Sequence, residues 1–542
     1  MFSSVTFYPE EEHMSQRGTF YLTTAIDYPN SRPHIGTAFE KLGADVQARY
    51  RRMEGYEVFF LMGNDENTVK VSKRAEELGR DVQDYCNDMA NQFQEVWRTL
   101  DISYDDFIQT SEPRHHEASR QFIQKVYDNG YIYKGKYEGL YCEECEGFKT
   151  EKEIKEAGGV CPIHKIAPIH RSEDCYYFAL SKFQTRLLEF YDDNPDFIQP
   201  ESRRNEVRAL VESGLEDVNV SRVGQDWGIK VPFDEEYRIY VWFDALINYL
   251  TGIGYAKDVE LFRQWWPADI HFIGKDITRF HCALWPAMLM AAGLEIPRRV
   301  FGHGFVYRKD EDSGEIQKIS KSLGNVVEPM DIVTEFSVDA FRYYFLSQCP
   351  FPGDGEFSWE RFREVFNADL ANNIGNLYSR IVKLVTKNFD GVLNEITSED
   401  PSVVYFNEDI ESTTQKVQAD IEACRYNQAL EKIWRHVLDP VNAYLDRTAP
   451  WKLVKQTELP HALDMAKRVL YDAMDQIRAI AILLKPFLPR TAEKLYKSFS
   501  FSQPWEEVRF ESVWNKAGIH EERRVLAELE DGKVKPLFPR IG

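Results

Sequence analysis

Two lysines and two small hydroxyls lie together in Lys318-Ile319-Ser320-Lys321-Ser322-Leu323-Gly324-Asn325. Mobile positive charge next to a glycine, which lets backbone approach a ligand closely, suits a triphosphate whose phosphoryl bond is breaking. The acidic stretch just before it, Lys309-Asp310-Glu311-Asp312-Ser313-Gly314-Glu315, has the make-up of a hairpin turn. Far upstream, His34-Ile35-Gly36-Thr37 places an imidazole at the start of a predicted helix. Free N–H groups and the helix dipole favour an anion there; the other reading of His34 is a histidine that caps the helix or satisfies the core. A third cluster pairs Cys142-Glu143-Glu144-Cys145 with Cys161-Pro162-Ile163-His164. Each half carries two soft ligands two residues apart, the set for a closed tetrahedral zinc site held by Cys142, Cys145, Cys161 and His164. No ligand position is left for water, so the zinc is expected to be structural. Cys175 falls outside the paired spacing and is assigned to core packing.

These groups need elements to hold them. Thr19 to Ala25 reads as a buried strand and Glu57 to Met62 as the next. Between them Ile35 to Met53 reads as a helix with Ala38, Leu42, Val46 and Tyr50 on one face. Strand, loop, helix, strand predicts a βαβ unit, and so an α/β fold on a Rossmann-like, doubly wound parallel sheet. Residues 68–130 read as mainly helical. Strands at Arg238–Phe243 and from Ile270 to Gly274 are expected to resume the sheet after an insertion that carries the cysteines. From about Trp359 to Ser498 helical periodicity dominates, which predicts a C-terminal all-α bundle. The divisions expected are a disordered tail over 1–17, the first half of the sheet domain over 18–117, a zinc-knuckle connective domain over 118–238, the second half over 239–308, the lysine-serine loop region over 309–358 and the helical domain over 359–542.

A chain of 542 residues with 43% hydrophobic content is ample for two to four packed domains. Its formal net charge of -22 argues against wholesale wrapping of nucleic acid but leaves room for a local basic surface. No window of about 18 apolar residues is present, so no membrane span is expected. The first residues lack the basic-then-apolar pattern of a secretion signal. Eight cysteines, too sparse for a disulfide scaffold and partly clustered, point to a metal site in a reducing, cytoplasmic setting.

The His-Ile-Gly-x helix start together with the Lys-Ile-Ser-Lys-Ser loop resembles the class I aminoacyl-tRNA synthetases, and among them the methionyl-tRNA synthetase family. The resemblance runs from about Thr19 to Ile541 and includes Ala25-Ile26-Asp27-Tyr28-Pro29-Asn30, Tyr240-Val241-Trp242-Phe243-Asp244-Ala245, His271-Phe272-Ile273-Gly274-Lys275-Asp276 and Ala449-Pro450-Trp451. The Cys-Pro-Ile-His half looks like a bacterial subgroup with one zinc knuckle. The resemblance implies formation of methionyl-adenylate from methionine and ATP, with Mg2+ accompanying ATP, then transfer to tRNA(Met). It implies an ATP site at His34, Gly36, Thr37, Gly274, Lys275, Asp276, Lys318, Ser320 and Lys321, with His34, Lys318 and Lys321 catalytic. It implies a methionine pocket at Ala25, Ile26, Tyr28, Asp65, Arg222, Trp242, Ala245, Leu246, Tyr249, Ile277 and His281, with Asp65 on the substrate ammonium. Asn376, Arg380 and Trp451 would read the anticodon, Trp451 by stacking.

This chain departs from the family pattern twice. Thr37 stands where a second histidine is usual, and Asn67 follows Asp65-Glu66 where a histidine is usual. These leave room for an RNA-binding paralogue with impaired activation. A small-molecule nucleotidyltransferase shares the helix start but not the helical region or the cysteine pairs. The C-terminal end of the chain lacks the extra tRNA-binding domain of many relatives, so a monomer is expected.

Overall fold

The structure, a computed structural model, describes residues 17–541 apart from 145–146, 150, 224–225, 311–312, 320–323, 395–408, 457, 459, 515–521 and 531–532. The expected tail over 1–17 lies outside the described residues except for Arg17.

Strand β1 (Thr19–Thr24) is fully buried over its last four residues. Burial on consecutive residues, with no alternation of buried and exposed positions, is what a parallel strand covered on both faces shows. It pairs in parallel with β2 (Glu57–Asn64) on one side and with a strand from far downstream on the other. The sheet also takes β3 (Asp106–Gln109), β4 (Ile198–Gln199), β5 (Ile270–Gly274) and β6 (Val300–His303). Its order is β3-β2-β1-β5-β6-β4, and all pairings are parallel. The chain leaves β1 in one direction and returns at β5 in the other. Ligands in such sheets sit beyond the carboxyl ends of the strands at that switch point. The edge strand β4 comes from within the inserted stretch.

Helix α1 (Ile35–Met53) follows β1 across the switch point. The sequence suggested one apolar face, but α1 is buried almost all round, Glu40, Lys41, Asp45 and Gln47 included. Its second side packs against C-terminal helices: the Tyr426 hydroxyl donates to Gly43 O at 2.7 Å, and the Gln47 amide donates to Ile421 O. A side chain on Gly43 would fall 2.2 Å from the Phe351 ring, so this approach needs glycine.

The strand expected over Arg238–Phe243 is corrected. A strand does run over Asp234–Ile239, but it belongs to a separate three-stranded antiparallel sheet. At Val241 helix α2 (Val241–Thr251) begins. A short apolar run does not distinguish a buried strand from a buried helix, and here the apolar character continues for a further two turns. The hairpin expected before the lysine-serine loop is present, Val306–Lys309 pairing antiparallel with Ile316–Lys318. The four-stranded sheet that carries the cysteine cluster is built on a long pairing of Ile132–Cys142 with Ile169–Phe178. From Trp359 to Lys497 long elements are helical, as the periodicity predicts. No helix among the described residues is long and apolar enough to cross a membrane.

Candidate active site

Beyond the carboxyl ends of β1 and β5 lies a cavity of about 480 Å³, within the size range of small-molecule sites. Ala25, Ile26, Tyr28, Asp65, Trp242, Ala245, Leu246, Tyr249, Ile277 and His281 line it. His34, Gly36, Thr37, Gly274, Asp276 and Lys318 line it as well. Residues from stretches 250 positions apart in sequence thus share one wall because the topology brings β1 and β5 side by side.

The apolar end of the cavity is neutral and aromatic. The Trp242 ring stacks on Phe280 with centroids 3.9 Å apart, and Tyr28 meets Trp242 edge-on. His281 Nδ1–H donates to Ile277 O at 3.1 Å, so Nε2 accepts from the Tyr249 hydroxyl at 2.8 Å. Burial holds His281 down to about 4, and it is uncharged at neutral pH. A thioether chain fits such polarizable, uncharged walls. Asp65, 2% exposed, sets a carboxylate in the same cavity.

At the other end the helix start takes the capping reading of His34 over the open anion site. His34 caps α1, its Nδ1 accepting from the N–H groups of Gly36 and Thr37 at 3.0 and 3.2 Å. The Ile35 N–H donates to Val327 O at 3.0 Å. The N–H groups expected to be open to an anion are therefore engaged. Because Nδ1 accepts, the neutral ring carries its proton on Nε2, which makes Nε2–H the imidazole's donor. Gly36 serves this arrangement: a Cβ there would sit 2.9 Å from His34 Cε1. Gly274 likewise admits the Asp276 carboxylate, which would lie 2.7 Å from a Cβ at that position.

Other expected site residues fall elsewhere. Lys275 does not line the cavity; its ammonium pairs with Asp354 at 2.7 Å and lies 4.8 Å from the Phe305 ring centre. Arg222 does not line it either. Its guanidinium stacks 4.1 Å over the Tyr240 ring and donates to Ser221 O, because its strand belongs to the separate antiparallel sheet. Ser320 and Lys321 lie outside the described residues. Lys318 ends the hairpin with its ammonium 4.8 Å from the Phe305 ring centre. Asn67 is buried away from the cavity, its amide donating to Asp244 Oδ2 at 2.7 Å and Thr110 O at 3.0 Å. Asp244 also faces His115 Nε2 at 2.6 Å, so Asn67 belongs to a packed polar network.

Cavity residues that the sequence reading did not assign to the site are Glu40, His303, Phe305 and Val306, together with Asp27 and Ile319, which stand there only inside longer motifs.

In the knuckle, one ligand atom each from Cys142, Cys161 and His164 lies within 4.8 Å of the others. Cys142 Sγ is 4.0 Å from His164 Nδ1. Cys145 lies outside the described residues. Two thiols outside any disulfide and an imidazole gathered this closely fit a thiophilic ion. In the helical region Arg380 and Asn376 lie one turn apart on helix Gly375–Phe389. The Arg380 guanidinium lies 4.7 Å over the ring of Trp451, 71 residues downstream, and is held by Asp446 at 2.7 Å.

The family model described as "tRNA synthetases class I (M)" matches residues 20–167 and 157–382, and that for "Anticodon-binding domain of tRNA ligase" matches 405–531. The methionine--tRNA ligase of Caldanaerobacter subterraneus subsp. tengcongensis is 42% identical over 532 residues, covering 96% of this chain and 79% of the relative. That of Nostoc sp. is 40% identical, covering 96% of this chain and 97% of the relative. Mycobacterium tuberculosis methionyl-tRNA synthetase in complex with methionyl-adenylate superposes with a TM-score of 0.87 at 37% identity, over 94% of this chain and 99% of that one. With both family models and full-length relatives matched across the same stretch that builds the cavity, the chain belongs to the methionine--tRNA ligase family of class I aminoacyl-tRNA synthetases.

Proposed function

We infer that the protein joins L-methionine to tRNA(Met) in two steps. A methionine carboxylate oxygen attacks the α-phosphorus of ATP, the bond from that phosphorus to the pyrophosphate oxygen breaks, and methionyl-adenylate remains. The terminal ribose hydroxyl of the tRNA then takes the methionyl group and AMP leaves. The observation that carries this reading is a single cavity joining a neutral aromatic slot and the Asp65 carboxylate to His34, Thr37, Asp276 and Lys318. In-line displacement calls for positioning and charge neutralisation more than for proton transfer. In this reading the apolar wall takes the thioether and Asp65 the ammonium. His34 Nε2–H and the two loop lysines, Lys318 and Lys321, meet the phosphates, and Asp276 meets the ribose. Mg2+ arrives with ATP. Methionine-dependent exchange of pyrophosphate into ATP, followed by charging of tRNA(Met), tests the two steps separately. Exchange without methionine, or none with it, is incompatible with the reading.

Two further assignments accompany it. Cys142, Cys145, Cys161 and His164 hold one zinc ion that folds the knuckle and takes no part in the chemistry. Cys161→Ser is expected to lower bound zinc from one per chain and to make the 131–175 segment protease-sensitive, since metal binding and local folding are coupled. Fully active protein that contains no zinc by elemental analysis is the contrary result. Asn376, Arg380 and Trp451 meet splayed anticodon bases. Trp451→Ala is expected to weaken tRNA charging through loss of one stack, about 1–3 kcal/mol, while methionine-dependent exchange stays near wild type. Equal damage to both steps would assign Trp451 to folding.

A further inference from the structure

The cavity wall contains a buried chain of charges that neither reaction step uses. Lys41 is fully buried on α1. Its ammonium donates to Glu40 Oε1 at 2.6 Å and to Ala25 O at 3.1 Å, and lies 2.9 Å from Asp27 Oδ2. Glu40 Oε1 also accepts from the Ala25 N–H at 3.1 Å, and its Oε2 faces His303 Nε2 at 2.9 Å. Desolvating an ammonium is costly and is tolerated only where close partners hold it. Here the partners do a second job. Ala25 is gripped at both its N–H and its C=O, and Asp27, two residues on, is tied to Lys41 by its side chain. The Asp27 backbone is tied to the β2 side: its N–H donates to Gly63 O at 3.0 Å and its carbonyl accepts from the Asp65 N–H at 2.8 Å. Ile26 between these ties and Tyr28 just after them both line the cavity.

We propose that Lys41 is a positioning residue that fixes the Ala25–Tyr28 loop in the shape that receives the methionine side chain, with the Lys41–Asp27 pair as its catch. The proposal rests on the activation reading above. The charged groups around Asp27 are Lys41 and Glu40 from α1 and His303 from β6, with Asp65 in the same cavity wall. Burial pushes the Asp27 carboxyl up to about 6, with Glu40 adding to the rise and Lys41 and His303 opposing it. For Glu40, Lys41 and His303 outweigh burial and hold it at about 2. As pH falls, Asp27 therefore takes a proton before Glu40, and its charge pairing with Lys41 is then lost.

The test is a split of kinetic constants in pyrophosphate exchange, with pH as the second axis. Asp27→Asn keeps the shape and removes the charge; Lys41→Met removes the clamp. Both are expected to raise the methionine KM about tenfold, the loss of a charge-assisted tie, with the ATP KM unchanged. In wild type the methionine KM is expected to rise from pH 7.5 to 5.5. In Asp27→Asn it is high and flat over that range. Glu66 is a second buried carboxyl, pushed up by burial to about 7, so Glu66→Gln is the control and keeps the wild-type slope. A wild-type methionine KM in Asp27→Asn overturns the proposal, as does a pH slope that survives there and vanishes in Glu66→Gln. Both KM values moving together with a lowered melting temperature also overturns it, since that is a structural role only. An inactive wild type overturns the activation reading and this proposal with it; an active wild type with unaffected variants overturns this proposal alone.

Discussion

Lys321→Ala is expected to slow single-turnover formation of methionyl-adenylate by about 10²–10³-fold, the usual cost of losing a donor aimed at developing transition-state charge. Charge builds on the α-phosphoryl oxygens and on the leaving pyrophosphate, and among the described residues little else lining the cavity can answer it. The first-turn N–H groups of α1 are engaged by His34 and Val327. Lys275 is committed to Asp354. The donors that the proposed function assigns to this charge are His34 Nε2–H, the Thr37 side chain and the loop lysines. Lys318 reaches the cavity rim from the end of the hairpin, and Lys321 follows three residues later on the glycine-closed loop. Thr37 can contribute only a hydroxyl, because its own N–H is spent on His34. Thr37→His is therefore expected to change the rate by less than about tenfold, far less than Lys321→Ala. If wild type forms no adenylate and Thr37→His restores it, the paralogue reading is right and activation by the natural chain is wrong.

Arg342→Met is expected to destabilise the protein by about 3–5 kcal/mol, the cost of breaking a buried ion pair by removing one partner. Arg342 is fully buried on helix Val338–Gln348. Its guanidinium donates to Asp45 Oδ2 on α1 at 2.6 Å, to Leu100 O at 3.1 Å, to Phe487 O at 2.7 Å and to Pro486 O at 3.3 Å. One side chain thus joins the helix that starts at the cavity to the end of the long C-terminal helix Pro460–Leu484 and the turn beyond it. Methionine fills similar volume but leaves those carbonyls without this donor. Asp45 keeps Arg49 at 2.8 Å and Ser103 at 2.7 Å, which limits the damage to the lost tie. Burial would raise the Asp45 carboxyl, but Arg49, Arg342 and Ser103 outweigh it and hold it at about 2. A carboxyl lowered on folding stabilises above its unfolded pKa, and that contribution is lost as pH falls through the folded value. The deficit of Arg342→Met should therefore be full at neutral pH and shrink in the acid range between about 4 and 2. Thermal unfolding at pH 7 together with limited proteolysis between the sheet region and the helices checks this. Unchanged melting and protection would mean the four bonds contribute nothing net.

The sequence by itself determined what depends on short spacings. The helix over Ile35–Met53 was legible to the residue, because a polar cap and an apolar period are local properties. So were the paired cysteine spacing, the hairpin before the lysine-serine loop and the helical C-terminal third. Most of the aromatic slot was reachable through family resemblance, and Trp242, Tyr249 and His281 do line one cavity. Tertiary structure decided the rest, wherever a group's partner lies far along the chain. Helix α1 has a second buried side because helices some 380 residues later cover it, as Tyr426 on Gly43 shows. Of the two readings that His34 allows, cap or open anion site, the ring folding back and the distant Val327 carbonyl decided for the cap. Arg222 went to a different sheet, and Asn67 to Asp244, 177 residues away. The Asp27–Lys41–Glu40–His303 chain was invisible for the same reason. A buried charge announces that it needs partners, but which carboxylates and which imidazole satisfy it is fixed only when β1, α1 and β6 meet.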